Sequence, residues 1–235
     1  MAQAFTVRLP DGREVRPEDW TAAPLYSLVE INTGALTPLD AFSFGIGGPV
    51  PGSPGPRNAN ISDTNFQGQG NVLPENEEIL LYSLCISLFQ VVANTTQFFN
   101  GNEVWTPDPP HVTLTNVLRV QRDTLVALYI ANTKQYCSMP MGFFAASCGV
   151  EPYFGAARSV GSGNTQTELV GSNGGVSENE HRLFATPHQI APGEAFNVQF
   201  TFPAGQITGL NFGADTSARI RARVYTRGVR RRPVA

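Results

Sequence analysis

This 235-residue chain is poor in charge. Only 15% of it is Asp, Glu, Lys or Arg, against a usual quarter. Lysine is nearly absent: Lys134 is the single one, and the other basic residues are arginine. Cysteine is scarce too, and Cys85, Cys137 and Cys148 are odd in number and without metal spacing, which argues against a disulfide framework. Cys85 lies in an apolar run and reads as a small core residue. No apolar run reaches the ~18 residues of a membrane span. Residues 1–20 contain Arg8, Asp11, Arg13 and Glu14 but no apolar stretch of the signal-peptide kind, so none is expected. Asn60 and Asn94 match the glycosylation sequon and, without such a signal, are read as ordinary polar residues.

Catalytic and metal-binding patterns are equally thin. His111, His181 and His188 are scattered, and the seven-residue gap between the last two spans roughly 23 Å on a strand. Glu178, Glu180 and His181 resemble a fragment of a cupin metal set but read better as a polar loop. Gly45-Ile46-Gly47-Gly48 is followed by prolines rather than a helix, so it is not a phosphate loop. Gly161-Ser162-Gly163 lacks the strand-turn-helix setting of a nucleophile. Asp63-Thr64-Asn65 offers oxygens for calcium without enough carboxylates to complete a shell. The expectation is no enzyme activity, no catalytic residue, no cofactor, no metal and no small-molecule substrate.

What the chain does have is alternation. Phe196, Val198, Phe200 and Phe202 alternate with Asn197, Gln199 and Thr201, and Ile220, Ala222 and Val224 alternate with Arg219, Arg221 and Arg223. A period of two puts each set on its own face of a sheet. Leu25–Ile31, Ala41–Ile46, Val112–Val120, Thr124–Ile130 and Arg182–Ile190 read as further strands, and residues 5–16 as a hairpin turning at Pro10-Asp11-Gly12. Ile79–Val92 reads as a long strand with Leu80, Tyr82, Leu84, Ile86 and Leu88 on one apolar face; a helix is the competing reading, because Leu81, Leu84 and Leu88 also fit a helical stripe. Gly142–Cys148 is a short apolar run.

Two stretches, 47–76 and 155–180, are rich in Gly, Pro, Ser and Asn and are expected to be long exposed loops, buried in part by neighbouring subunits. Eight or nine strands with long, unequal connections predict an all-β fold. The expected architecture is a single jelly roll, an antiparallel β-sandwich or barrel with long loop insertions. The expected parts are an N-terminal arm and hairpin (1–24), the jelly-roll domain (25–226) and a basic C-terminal arm (227–235). Seven of the 16 basic residues fall between Arg219 and Arg232. Arg227, Arg230, Arg231 and Arg232 are expected to lie beyond the last strand, as candidate assembly or anion contacts.

Asp63-Thr64-Asn65, Gly70, Leu73-Pro74 and Glu77-Glu78-Ile79-Leu80-Leu81-Tyr82-Ser83 resemble the entry to the first long strand in jelly-roll capsid proteins of tailless icosahedral bacteriophages. Phe42-Ser43-Phe44-Gly45 before a Pro/Gly segment, and a final strand running into Arg227-Gly228-Val229-Arg230-Arg231-Arg232, fit the same pattern. The resemblance covers residues 40–90 and 195–235. It implies a structural virion protein, either main shell subunit or vertex protein, assembled in the host cytoplasm. The chain is short for two stacked jelly rolls at roughly 150 residues each. The implied partners are copies of itself and other capsid proteins, with genome phosphate or an anionic inner membrane as the partner of the basic arm. The alternative reading is a carbohydrate- or receptor-binding β-sandwich module, in which Trp20, Trp105 and Tyr153 stack on sugars.

Overall fold

The computed structural model describes residues 7–8, 12, 14–15, 20–22, 24–34, 36–53, 55–68, 70–91, 110–131, 134–144, 151–159, 165–172, 182–210, 212 and 219–231. In chain order the strands are β1 (Val7–Arg8), β2 (Glu14–Val15), β3 (Trp20–Ala22), β4 (Leu25–Ile31), β5 (Leu39–Ala41) and β6 (Glu78–Val91). A helix, α1 (Pro110–Asp123), precedes β7 (Leu125–Ile130) and β8 (Lys134–Pro140). Then come β9 (Glu151–Ser159), β10 (Thr165–Ser172), β11 (Arg182–Ile190), β12 (Phe196–Thr201) and β13 (Arg219–Arg231). The protein is therefore mostly β, and its sheets are antiparallel.

The larger sheet runs β11–β6–β13, and the far side of β13 pairs first with β4 and then, over Val229–Arg231, with β3. The smaller sheet runs β5–β12–β7–β8. Inward side chains from both meet in one core: Leu84, Ile86, Leu88, Ile220, Ala222 and Val224 from the first, and Val126, Leu128, Phe196, Val198 and Phe200 from the second. Phe42, Phe66 and Phe196 pack as a ring trio with centroids 5.1 to 5.9 Å apart. The polar set on β12 faces outward, where Asn197 and Gln199 both donate to Asp40 Oδ1. Two hairpins stand apart from these sheets, β1 with β2 and β9 with β10.

Five expectations need correction. Val112–Val120 lies in α1: Asn116, Val117 and Val120 are buried while Leu118 is exposed, a helical spacing. Pro110 at the first helical position starts it, where its missing N–H costs nothing. The expected strand Ala41–Ile46 ends at Ala41, because Phe42 turns the chain with a left-handed φ of 64°. Part of the expected 155–180 loop is the β9–β10 ladder, whose backbone groups pair with one another whatever the side chains. The alternation of β6 slips at a bulge near Tyr82, so the inward set is Ile79 and Leu81, then Leu84, Ile86 and Leu88, while Leu80 joins an outer cluster with Tyr82. Finally, the 47–76 segment is not a free loop. Val50, Ala59, Asp63, Phe66 and Leu73 are all buried in it.

Candidate functional site

Alternation along β13 sends Ile220, Ala222 and Val224 to the core, so Arg219, Arg221, Arg223 and Arg227 fall on the opposite face. The strand does not stop at Val224. It continues beside β6 through Arg231, so the boundary expected at 227 falls inside a ladder. Gly228 makes this possible at the bulge, since a Cβ there would sit 2.5 Å from the Leu80 carbonyl oxygen. Beyond it Val229 packs with Leu80, Tyr82 and Trp20. Arg230 and Arg231 lie between β6 and β3, and their guanidiniums approach Glu77 at 3.4 Å and Glu78 at 4.0 Å. Arg227 is exposed. Arg232 lies outside the described residues. The expected free cluster of four arginines is thus replaced, over Arg227, Arg230 and Arg231, by strand residues. The cause is that β6 and β3 offer unpaired backbone on both sides of β13.

The densest polar arrangement lies at the other end of the same face. Glu30, on β4, has no solvent exposure, yet three guanidiniums meet its carboxylate. Arg57 Nη2 and Arg221 Nε each donate to Oε1 at 2.9 Å, and Arg219 Nε lies 2.9 Å from Oε2. Arg57 also forks onto Asp63, at 2.8 Å to Oδ2 and 3.2 Å to Oδ1. Burial pushes the Glu30 carboxyl up, but hydrogen bonds from Arg219 and Arg221 and the charges of Arg219 and Arg57 outweigh it, so the group titrates below its ordinary value. Asp63 shows the same contest, with Arg57 and the Asn60 backbone N–H prevailing over burial. Both carboxylates are therefore ionised at neutral pH, held by charge-assisted bonds.

This network ties residues 42–76, a strap between β5 and β6, across the outside of the large sheet. Leu28 on β4 packs outward against Phe44, Val50 and Ala59 of the strap. The strap also covers the free edge of β4. Glu30 N–H donates to Pro51 O at 2.9 Å, Tyr26 N–H to Asn65 Oδ1 at 2.8 Å, and Asn65 N–H to Tyr26 O at 3.2 Å. Gly52 allows the crossing: its φ is 74°, and a Cβ would collide with the Glu30 carbonyl oxygen at 1.8 Å. Within the strap, residues 47–50 and 57–59 form a small ladder, and Ser43 to Pro49 face Phe66 to Gly70 across an open cleft of about 420 Å³.

The other residues singled out in the sequence serve the fold. Asp63 pairs with Arg57, and Asn65 bonds to Tyr26 and Pro24, so both brace the fold. His188 lies between the tilted rings of Tyr136 and Phe184, with ring centroids at 4.4 and 4.8 Å, and its burial lowers its pKa. Trp20 is packed rather than displayed. Trp105 and the segment holding Glu178, Glu180 and His181 lie outside the described residues. Among the described residues no three His, Cys, Asp or Glu side chains could hold a metal together, and no helix is long and apolar enough to cross a membrane. Sequence reasoning missed Glu30 and Arg57. One signal for Glu30 was available: a lone carboxylate inside the apolar run Leu25–Ile31 requires a cation if that run is buried. No protein-family model matches the chain, and no curated protein matches it in sequence.

Proposed function

We propose that this chain is a structural subunit of an icosahedral phage shell, built on a single jelly roll that associates with its own copies. The observation that carries the proposal is the strand order. Apart from the short β3, which pairs with the end of β13, eight strands make the two sheets: β4, β5, β6, β7, β8, β11, β12 and β13. The first pairs with the last, the second with the seventh, the third with the sixth and the fourth with the fifth, all antiparallel. One long hairpin rolled on itself gives this nesting, with sheet orders 1-8-3-6 and 2-7-4-5. That is the arrangement expected of a jelly roll, an architecture used by viral capsids, lectins and cupins.

Among these uses, the strap favours a shell. A long connection held rigidly against a sheet is costly to order and useful where a surface must be presented to a neighbour in one shape. Of the three aromatic residues a sugar-binding module on the same fold would use, Trp20 packs in the cluster with Leu80 and Val229, while Trp105 and the Tyr153 side chain lie outside the described residues. In this reading the protein resides in the virion and its partners are its own copies and other shell proteins. An anionic partner of the basic terminus, genome phosphate or membrane, would meet the exposed Arg227.

Sedimentation of the purified protein with negative-stain imaging tests the proposal. Trimers, pentamers or closed particles are expected. A monomer at every protein and salt concentration would overturn it.

A further inference from the structure

Among the described residues seven large apolar side chains are exposed, and three of them, Ile46, Ile61 and Val72, belong to the strap. Ile61 is the most exposed of the seven, at 70%. Its backbone is nevertheless fixed. Tyr26 Oη donates to the Ile61 carbonyl, and Arg223 Nη2 donates to the next carbonyl, Ser62, at 2.9 Å. Asn60 closes the turn, its Oδ1 accepting from Ser62 N–H at 2.7 Å while its own N–H donates to Asp63 Oδ2 at 2.9 Å. An isoleucine held out on a turn braced from the sheet below is a preformed knob. Exposing it gains the isolated subunit nothing, since burying such a side chain is worth about 1.5–3 kcal/mol.

The same strap carries a recess. The cleft of about 420 Å³ is lined by Phe44, Ile46, Pro49, Phe66, Ser43, Gln67 and four glycines, with no charged side chain. It accepts an apolar, uncharged insert. The turn at Ile61 is such an insert, because its one charge, Asp63, is turned inward onto Arg57.

We infer that the strap is the self-association surface, with Ile61 of one copy seated in the Phe44–Ile46–Phe66 cleft of the next. This rests on the shell-subunit reading and names the contact. The occupant is a second copy because knob and cleft agree in charge and lie on the same chain. Two different patches meeting head to tail form a ring when the rotation between copies closes, the kind of contact a trimer or pentamer needs, and an open filament when it does not. The Arg57 tie holds both patches in shape before contact, so little ordering remains to oppose it.

The test compares wild type with the Ile46→Ser, Ile61→Ser double variant by sedimentation across a concentration series, with thermal melting of each. Expected are an unchanged melting temperature, since both side chains are exposed, and at least a tenfold rise in the concentration needed to assemble, with Ile61→Val assembling as wild type does. In a mixing arm, Ile61→Cys protein and Ser43→Cys protein should form a mixed disulfide dimer that neither forms alone. If wild type assembles and the double variant does so equally, this inference fails while the shell reading stands; the strap would then belong to a different partner. A monomeric wild type overturns both.

Discussion

Arg57 donates from Nη2 to Glu30 Oε1 at 2.9 Å, joining the middle of a loop to a strand residue 27 positions earlier whose side chain is wholly buried. This contact is the tie of the strap. Removing either side leaves charge in the interior without its partner. Glu30→Ala should therefore destabilise the fold by about 3–5 kcal/mol, the usual cost of breaking a buried pair. Arg57→Ala should cost less, because its side chain is a quarter exposed and Arg219 and Arg221 still hold Glu30. Urea unfolding midpoints of the two variants check the order.

Acid should loosen the same tie. Both Glu30 and Asp63 titrate below their ordinary values of 4.5 and 3.8 in the folded protein. A depressed carboxyl pKa stabilises the fold above the unfolded value, and that contribution is lost as pH falls through the folded value. Melting temperature should be flat above about pH 5 in this respect and fall progressively below it. Glu30→Gln should be less stable at pH 7, and the gap to wild type should narrow as pH falls through the window below 4.5. A gap that does not depend on pH would contradict the network.

Truncation distinguishes a terminal arm from a strand. Deleting residues 229–235 removes three ladder positions shared with β6 and all three that hold β3. The melting temperature should drop by several degrees, since each 1 kcal/mol is worth roughly 2–4 °C in a chain near this size. β3 should gain protease sensitivity at Trp20–Ala22. Unchanged melting would restore the view of a dispensable arm.

Phe200 tests the core. It has no solvent exposure and sits on β12 between Leu39 and Val126 in register. Phe200→Ala should cost about 3–5 kcal/mol, read from chemical denaturation.

Local periodicity carried much of the strand assignment. Leu25–Ile31 and Arg182–Ile190 have the bounds their patterns announce, and the outward row Arg219, Arg221, Arg223 follows from alternation alone. Period two is a property of neighbouring residues, so a chain can display it without knowing its partners. The helix at 110–123 escaped because its Val, Thr and Leu suit a strand equally well, and only packing of Val117 and Val120 against the core decides. The strap escaped for another reason. Arg57 meets Glu30 across 27 residues, and Arg221 meets it across 191, so nothing in the local composition of the Pro/Gly segment distinguishes a loose loop from one tied by a buried carboxylate. The end of β13 was decided in the same way: Arg227–Arg231 reads as a solvated cationic run, and it becomes a strand because β6 on one side and β3 on the other supply its hydrogen bonds. Face and period belong to the sequence, whereas pairing, burial of charge and the presentation of Ile61 come from contacts that exist only once the sheets have closed.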